Sequence, residues 1–127
     1  MNRALLTAFR PSSATAKSIR TNASLVQITD EPIVRRITMI NLKQRNPLGL
    51  DMIRALQSAV DTTDFARCRV LVLGSADDKI FSAGHNLKEL TAEKGRQMHQ
   101  LVFDEFSKLC LDLQGLPVPV IAEVKGE

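Results

Sequence analysis

Apolar residues recur with two different periods along the chain, and the period assigns the elements. Residues 25–29 alternate, placing Val26 and Ile28 on one face, and residues 33–40 continue with β-branched side chains after Glu31-Pro32. Alternation of this kind predicts a β-hairpin or two neighbouring strands. Leu50, Ile53, Leu56 and Val60 then fall at helical spacing behind Asn46-Pro47 and Gly49, which predicts a helix to about Asp61. Residues 70–73 form a continuous apolar run closed by Gly74, the pattern of a strand covered on both faces. Met98, Val102, Phe106, Leu109 and Leu113 follow at steps of four, four, three and four, a one-faced helix over about residues 92–114. Gly115 and Pro117 end it in the usual order of stop signals. Residues 118–124, with Pro119 near their start, predict a last strand. The order β-β-α-β-loop-α-β implies an α/β layer fold without an internal repeat.

Length and charge narrow this picture. A chain of 127 residues with 44% apolar content has room for one domain and a core. Its net charge of +3 suggests a polyanionic partner at first sight, but Arg3, Arg10, Lys17 and Arg20 all precede the first acid, Asp30. Without those four, 13 basic residues stand against 14 acidic ones, so the basicity reads as an address signal and not as a nucleic-acid surface. Residues 1–24 combine Arg, Lys, Ser, Thr and Ala with an early cluster of Leu5, Leu6 and Phe9, the composition of a mitochondrial transit peptide. An ordinary unstructured tail is the competing reading, whereas a secretory signal would need a longer apolar core than residues 4–9 supply. The domain proper is then residues 25–127, with a mitochondrial matrix location. No apolar run approaches the roughly 18 residues that span a bilayer, so stable membrane insertion is not expected. Cys68 and Cys110 lie in apolar surroundings far apart, with no histidine at zinc-ligand spacing, and read as thiols of a reducing compartment.

The stretch that carries chemistry is Lys79-Ile80-Phe81-Ser82-Ala83-Gly84-His85-Asn86-Leu87-Lys88-Glu89-Leu90, directly after the buried strand. A small-residue turn at Ser82-Ala83-Gly84 followed by a short helix from near Asn86 would leave backbone N–H groups aimed at one point. Such preorganised donors stabilise a carbonyl oxygen that becomes negative during reaction. A strand-turn-helix junction with glycine is also a common structural connection, so the residues alone leave both readings open.

Resemblance to a known family separates them. Residues 81–90 resemble the crotonase motif Phe-x-x-Gly-x-Asp-Leu/Ile-Lys-Glu. Asn41-Leu42-Lys43-Gln44-Arg45-Asn46-Pro47-Leu48 is similar to its upstream segment, and Leu116-Pro117-Val118-Pro119-Val120-Ile121-Ala122 resembles the strand leading into the family's second glycine-rich loop. The three motifs occur in family order and spacing over about residues 25–127, so the chain resembles the enoyl-CoA hydratase/isomerase (crotonase) family.

That resemblance implies the amino-terminal part of a β-β-α spiral fold, ending before the second oxyanion loop. It implies that the backbone N–H of His85 is the first oxyanion donor, presented by Gly84 to an acyl thioester carbonyl. Asn86, Leu87 and Lys88 would line the coenzyme A channel, and Lys43, Gln44 and Arg45 would run beside its adenosine and pantetheine portions. The coenzyme A thioester is then substrate, acyl-CoA the partner, and no separate cofactor or metal is implied; His99 reads as a surface residue and Asp77-Asp78 as loop charges. At full length the resemblance further implies a homo-oligomer, a trimer or hexamer. Two positions depart from the family pattern: Asn86 replaces an aspartate, keeping a capping acceptor without the charge, and Pro47 replaces an alanine. The second donor and the water-activating glutamates would lie beyond Glu127, so the chain is expected to bind acyl-CoA of mitochondrial fatty acid metabolism without hydrating it. The rival expectations are a non-catalytic acyl-CoA or subunit-binding module, and a truncated product without stable function.

Overall fold

Alternation at residues 25–40 resolves into β2 (Val26–Asp30) and β3 (Val34–Met39), antiparallel and joined through Glu31-Pro32-Ile33, with the Glu31 N–H donating to Val34 O at 2.9 Å. The structure is a computed structural model and describes residues 17–20 and 25–126. A further strand, β1 (Lys17–Arg20), pairs antiparallel with β2, Lys17 opposite Asp30. It falls inside the stretch assigned above to the transit peptide, so the boundary at residue 24 does not coincide with the sheet edge. An edge strand is held by backbone hydrogen bonds and needs no alternating pattern. Residues 1–16 and 21–24 of the leader assignment lie outside the described residues.

Helix α1 (Leu50–Asp61) leads from β3 to β4 (Val70–Ser75), and α2 (Gly95–Gln114) leads from β4 to β5 (Val120–Glu123). Both connections join parallel neighbours, as parallel pairing requires. The sheet order is β1-β2-β3-β4-β5. Register decides which face carries the core. Val26 stands opposite Met39 and Ile28 opposite Ile37, and Ile37 is in turn beside Leu73, so one face presents a continuous apolar surface.

Helix α1 fills that surface with Leu50, Met52, Ile53, Leu56, Ala59 and Val60, all buried. At about 1.5–3 kcal/mol for each large side chain fully removed from water, this helix contributes more than any other element. Helix α2 buries only Val102 and Leu109, with Met98, Phe106 and Leu113 packed partly against the core. It ends at the expected glycine. Gly115 sits at φ −88° and not in the left-handed region, and its N–H is shared between Leu111 O and Asp112 O, so a tightened last turn satisfies the terminal carbonyls.

Among the described residues one charged side chain is buried. Arg35 is 9% exposed; its guanidinium meets both carboxylate oxygens of Asp30 at 2.7 and 2.8 Å and donates to Ala59 O, Thr62 Oγ1 and Thr63 Oγ1. A cation at the carboxyl end of α1 also suits the helix dipole. The guanidinium hydrogen bonds hold the Asp30 carboxyl below its ordinary range against the opposing effect of burial. On the opposite sheet face Arg36 reaches Glu123 at 2.7 Å across β4, passing over Gly74, where a Cβ would meet the Glu123 side chain at 3.7–3.8 Å.

Candidate functional site

The 41–49 segment and the 82–89 segment run side by side beyond the carboxyl ends of β3 and β4. Leu42–Gln44 forms a short 3-10 turn, after which Arg45 (φ 65°) and Asn46 (φ 49°) both adopt left-handed backbone. Backbone hydrogen bonds then join the two segments: Ala83 N–H to Arg45 O at 2.9 Å, Leu48 N–H to Gly84 O at 2.7 Å, and Asn86 N–H to Leu48 O at 3.4 Å. Leu48 and His85 thus form an isolated parallel bridge.

This bridge determines where the predicted oxyanion donor points. The Gly84 C=O and the His85 N–H belong to one planar trans peptide and point in opposite directions. Because Leu48 holds the carbonyl, the His85 N–H faces away from Leu48, and it has no acceptor among the described residues. A carbonyl already accepting a hydrogen bond polarises its peptide and strengthens the N–H as a donor. Gly84 lies at φ 83°, a conformation that side chains disfavour, although nothing lies within 4 Å of where its Cβ would be. Backbone freedom, and not space, therefore explains glycine here.

The predicted short helix from Asn86 is a single turn. Glu89 N–H donates to Asn86 O and Leu90 N–H to Leu87 O, both three residues back, while Asn86 Oδ1 accepts the Lys88 N–H at 3.2 Å. Local capping by Asn86 closes the turn but no four-residue ladder follows, so the donor is aimed by the strand-like bridge and not by a helix dipole. Leu87, 76% exposed, and Lys88 project to solvent.

Lys43, Gln44 and Arg45 are exposed. Their backbone reaches the Gly84 turn through Arg45 O, but no described hydrogen bond joins their side chains to residues 84–88; Gln44 Oε1 instead accepts from Asn41 at 3.3 Å. The His85 ring lies edge-on to Phe106 and Phe103 of α2, with centroids 4.8 and 5.2 Å away, and its Nδ1 is buried without a hydrogen-bond partner. The imidazole therefore seats the turn on α2.

Several residues that build the site were not singled out from the sequence. Glu89 Oε2 accepts the Leu50 N–H at 2.9 Å and so caps α1. Ser82 Oγ donates to Asn46 O at 2.7 Å and accepts the Gly84 N–H at 3.1 Å. Asn46 is fully buried and bonds Ser75 Oγ and Phe81 O. The left-handed tolerance of asparagine was the one signal that pointed to it. Past β5, Lys125 meets Asp78 at 3.1 Å, and a Cβ at Gly126 would overlap the Lys79 carbonyl, so residues 125–126 lie against the loop that enters the site. Asp77 Oδ1 accepts the Lys79 N–H, and His99 Nε2 lies 2.9 Å from Thr91 O. Cys68 is buried and Cys110 half-buried, both free thiols. Among the described residues no three metal-ligating side chains cluster, and no helix is long and apolar enough to cross a membrane.

The sequence profile of the enoyl-CoA hydratase/isomerase family matches residues 30–127, and the chain belongs to that family. More particularly, it is 48% identical over 103 residues to enoyl-CoA hydratase domain-containing protein 3, mitochondrial, of Xenopus laevis, covering 80% of this chain and 35% of that protein. The human protein of the same name is 44% identical over 94 residues, covering 73% of this chain and 31% of its own. The crystal structure of human enoyl coenzyme A hydratase domain-containing protein 3 superposes with a TM-score of 0.73 at 38% identity, over 80% of this chain and 40% of that one. Enoyl-CoA hydratase from Bacillus anthracis superposes with a TM-score of 0.74 at 28% identity, with the same coverage. The chain thus spans about a third of the two relatives' length and has the fold of the amino-terminal part of a crotonase.

Proposed function

We propose that this chain binds acyl-CoA of mitochondrial fatty acid metabolism in the matrix, gripping the thioester carbonyl with the His85 N–H, and does not hydrate it. The observation that carries this reading is the Leu48 to Gly84 hydrogen bond, which turns the His85 N–H away from Leu48 and leaves it without an acceptor among the described residues, next in sequence to the polar turn that exposes Leu87. Gly84, Asn86, Leu87 and Lys88 form one wall of the channel. Lys43, Gln44 and Arg45 form the rim, where a cation meets phosphate. Hydration needs a group to move a proton, and the carboxylate nearest His85 in sequence, Glu89, is already engaged as the cap of α1. The thioester is the substrate, and no resident cofactor is invoked. A second reading is that the chain is a non-catalytic module that binds a full-length subunit. It is favoured by the exposure of Leu111, Ile121 and Val124 on α2 and around the edge strand β5.

Titration of crotonyl-CoA into the purified chain, with loss of the enoyl thioester followed in parallel, tests the first reading. A single donor on an open wall supports a Kd of about 10⁻⁴ M or weaker. Gly84→Pro removes the φ of 83° on which the turn depends and abolishes binding. Absence of any binding refutes the reading, and turnover above background refutes its non-catalytic half.

A further inference from the structure

The direction of the His85 N–H depends on the register between residues 45–48 and 82–86, and that register has one buried polar hub. Asn46 is 0% exposed. Its Nδ2 donates to Ser75 Oγ at 2.9 Å and to Phe81 O at 3.2 Å, at the two ends of the loop that precedes the site. Its backbone carbonyl accepts the Ser82 hydroxyl at 2.7 Å, and that hydroxyl accepts the Gly84 N–H. Its own N–H closes the upstream turn on Asn41 O at 2.9 Å. Ser75 Oγ in turn donates to Ile80 O and accepts the Asp77 N–H, so the loop is tied at both ends through a single carboxamide.

We propose that Asn46 is a positioning residue for the His85 N–H, its carboxamide holding the two segments in the register that lets Leu48 pin the Gly84–His85 peptide. The amide orientation follows from chemistry. Phe81 O only accepts, so the nitrogen must face it, and Oδ1 is left with no partner among the described residues. The buried amide therefore joins the two segments through its donor half. The backbone argues the same way. Arg45 and Asn46 are consecutive non-glycine residues with positive φ, a conformation that persists only where the surroundings over-determine it. Asn46 touches neither the thioester nor its carbonyl. It acts through Leu48, which it places, and through Ser82, which it binds.

The inference rests on the acyl-thioester reading of the site. The test compares crotonyl-CoA with a thioether analogue of the same chain length, which keeps every contact except the carbonyl. Asn46→Asp preserves shape but sets a carboxylate oxygen against Phe81 O, and Ser82→Ala removes the hydroxyl link from a half-buried position where folding is less at risk. The full chain is expected to prefer the thioester, and both variants are expected to bring the affinity ratio to about one while thioether affinity stays constant, because only the oxyanion donor is lost. Hydrogen exchange at Leu48 should accelerate in both variants relative to Ile53 in α1, which a uniform loss of stability would not produce. If the unaltered chain binds neither ligand, the acyl-CoA reading fails, and the Leu48 exchange alone decides the positioning role. A preserved thioester preference, or Leu48 exchange that rises only in step with Ile53, would overturn it.

Discussion

Helix α1 begins without a cap of its own: its first turn follows Gly49, which offers no side-chain acceptor. The acceptor comes from Glu89, 39 residues further along, whose Oε2 lies 2.9 Å from the Leu50 nitrogen. Glycine at 49 makes room for it, since a Cβ there would sit 3.0 Å from Glu89 Oε1 and 3.2 Å from Asn86 Cβ. Replacing Glu89 by Ala removes a capping hydrogen bond worth about 1 kcal/mol. It also removes a negative charge at the positive end of the helix, worth about 0.3–1 kcal/mol. The expected loss is about 1.5 kcal/mol, or a fall in Tm of about 6–12 °C for a domain of this size. Glu89→Gln keeps an acceptor and loses only the charge, so it should cost about 0.5 kcal/mol. Thermal and urea unfolding of the three proteins should therefore rank Glu above Gln above Ala. An Ala variant within about 0.3 kcal/mol of the original would refute the cap, and a Gln variant as weak as Ala would assign the whole effect to charge.

Arg35→Met should destabilise by about 3 kcal/mol in urea unfolding, the low end for breaking a buried pair, because Asp30 is 36% exposed and regains water. The same variant should flatten the acid limb of stability. The lowered pKa of Asp30 contributes stability that is present above the ordinary value of 3.8 and is lost as pH falls through the lowered one, so without Arg35 less is lost on acidification below that ordinary value. Fusing residues 1–30 to a fluorescent reporter should deliver it to mitochondria, with Arg3→Glu and Arg10→Glu weakening import; a uniformly cytosolic reporter would sink the transit reading.

Where the side-chain pattern was long and regular, the elements were legible. Leu50, Ile53, Leu56 and Val60 marked α1 to its end, the hairpin and α2 lie where the two periods placed them, β4 lies on the continuous apolar run, and β5 falls inside residues 118–124. The family was legible too, since its motifs are strings of neighbours. Strand β1 was not, because Lys17–Arg20 pairs through its backbone and carries no apolar alternation. The stop at Gly115 fell where the sequence placed it, with the glycine at φ −88° and its N–H shared by two carbonyls of the last turn.

The site divides along the same line. The sequence determined that a small-residue turn with a glycine stands after a buried strand, because chemistry and spacing there are local. Only the tertiary structure decided what aims the turn. Leu48 holds the Gly84 carbonyl and Asn46 the Ser82 hydroxyl, each across 36 residues of chain, and Glu89 caps a helix that precedes it in sequence. In the sequence Asn46 was no more than part of the Asn46-Pro47 break before α1, and in the structure it is a buried hub. Hydrogen bonds between distant segments leave no periodicity, since each requires only one donor and one acceptor whose meeting is set by the register of the packed strands and helices.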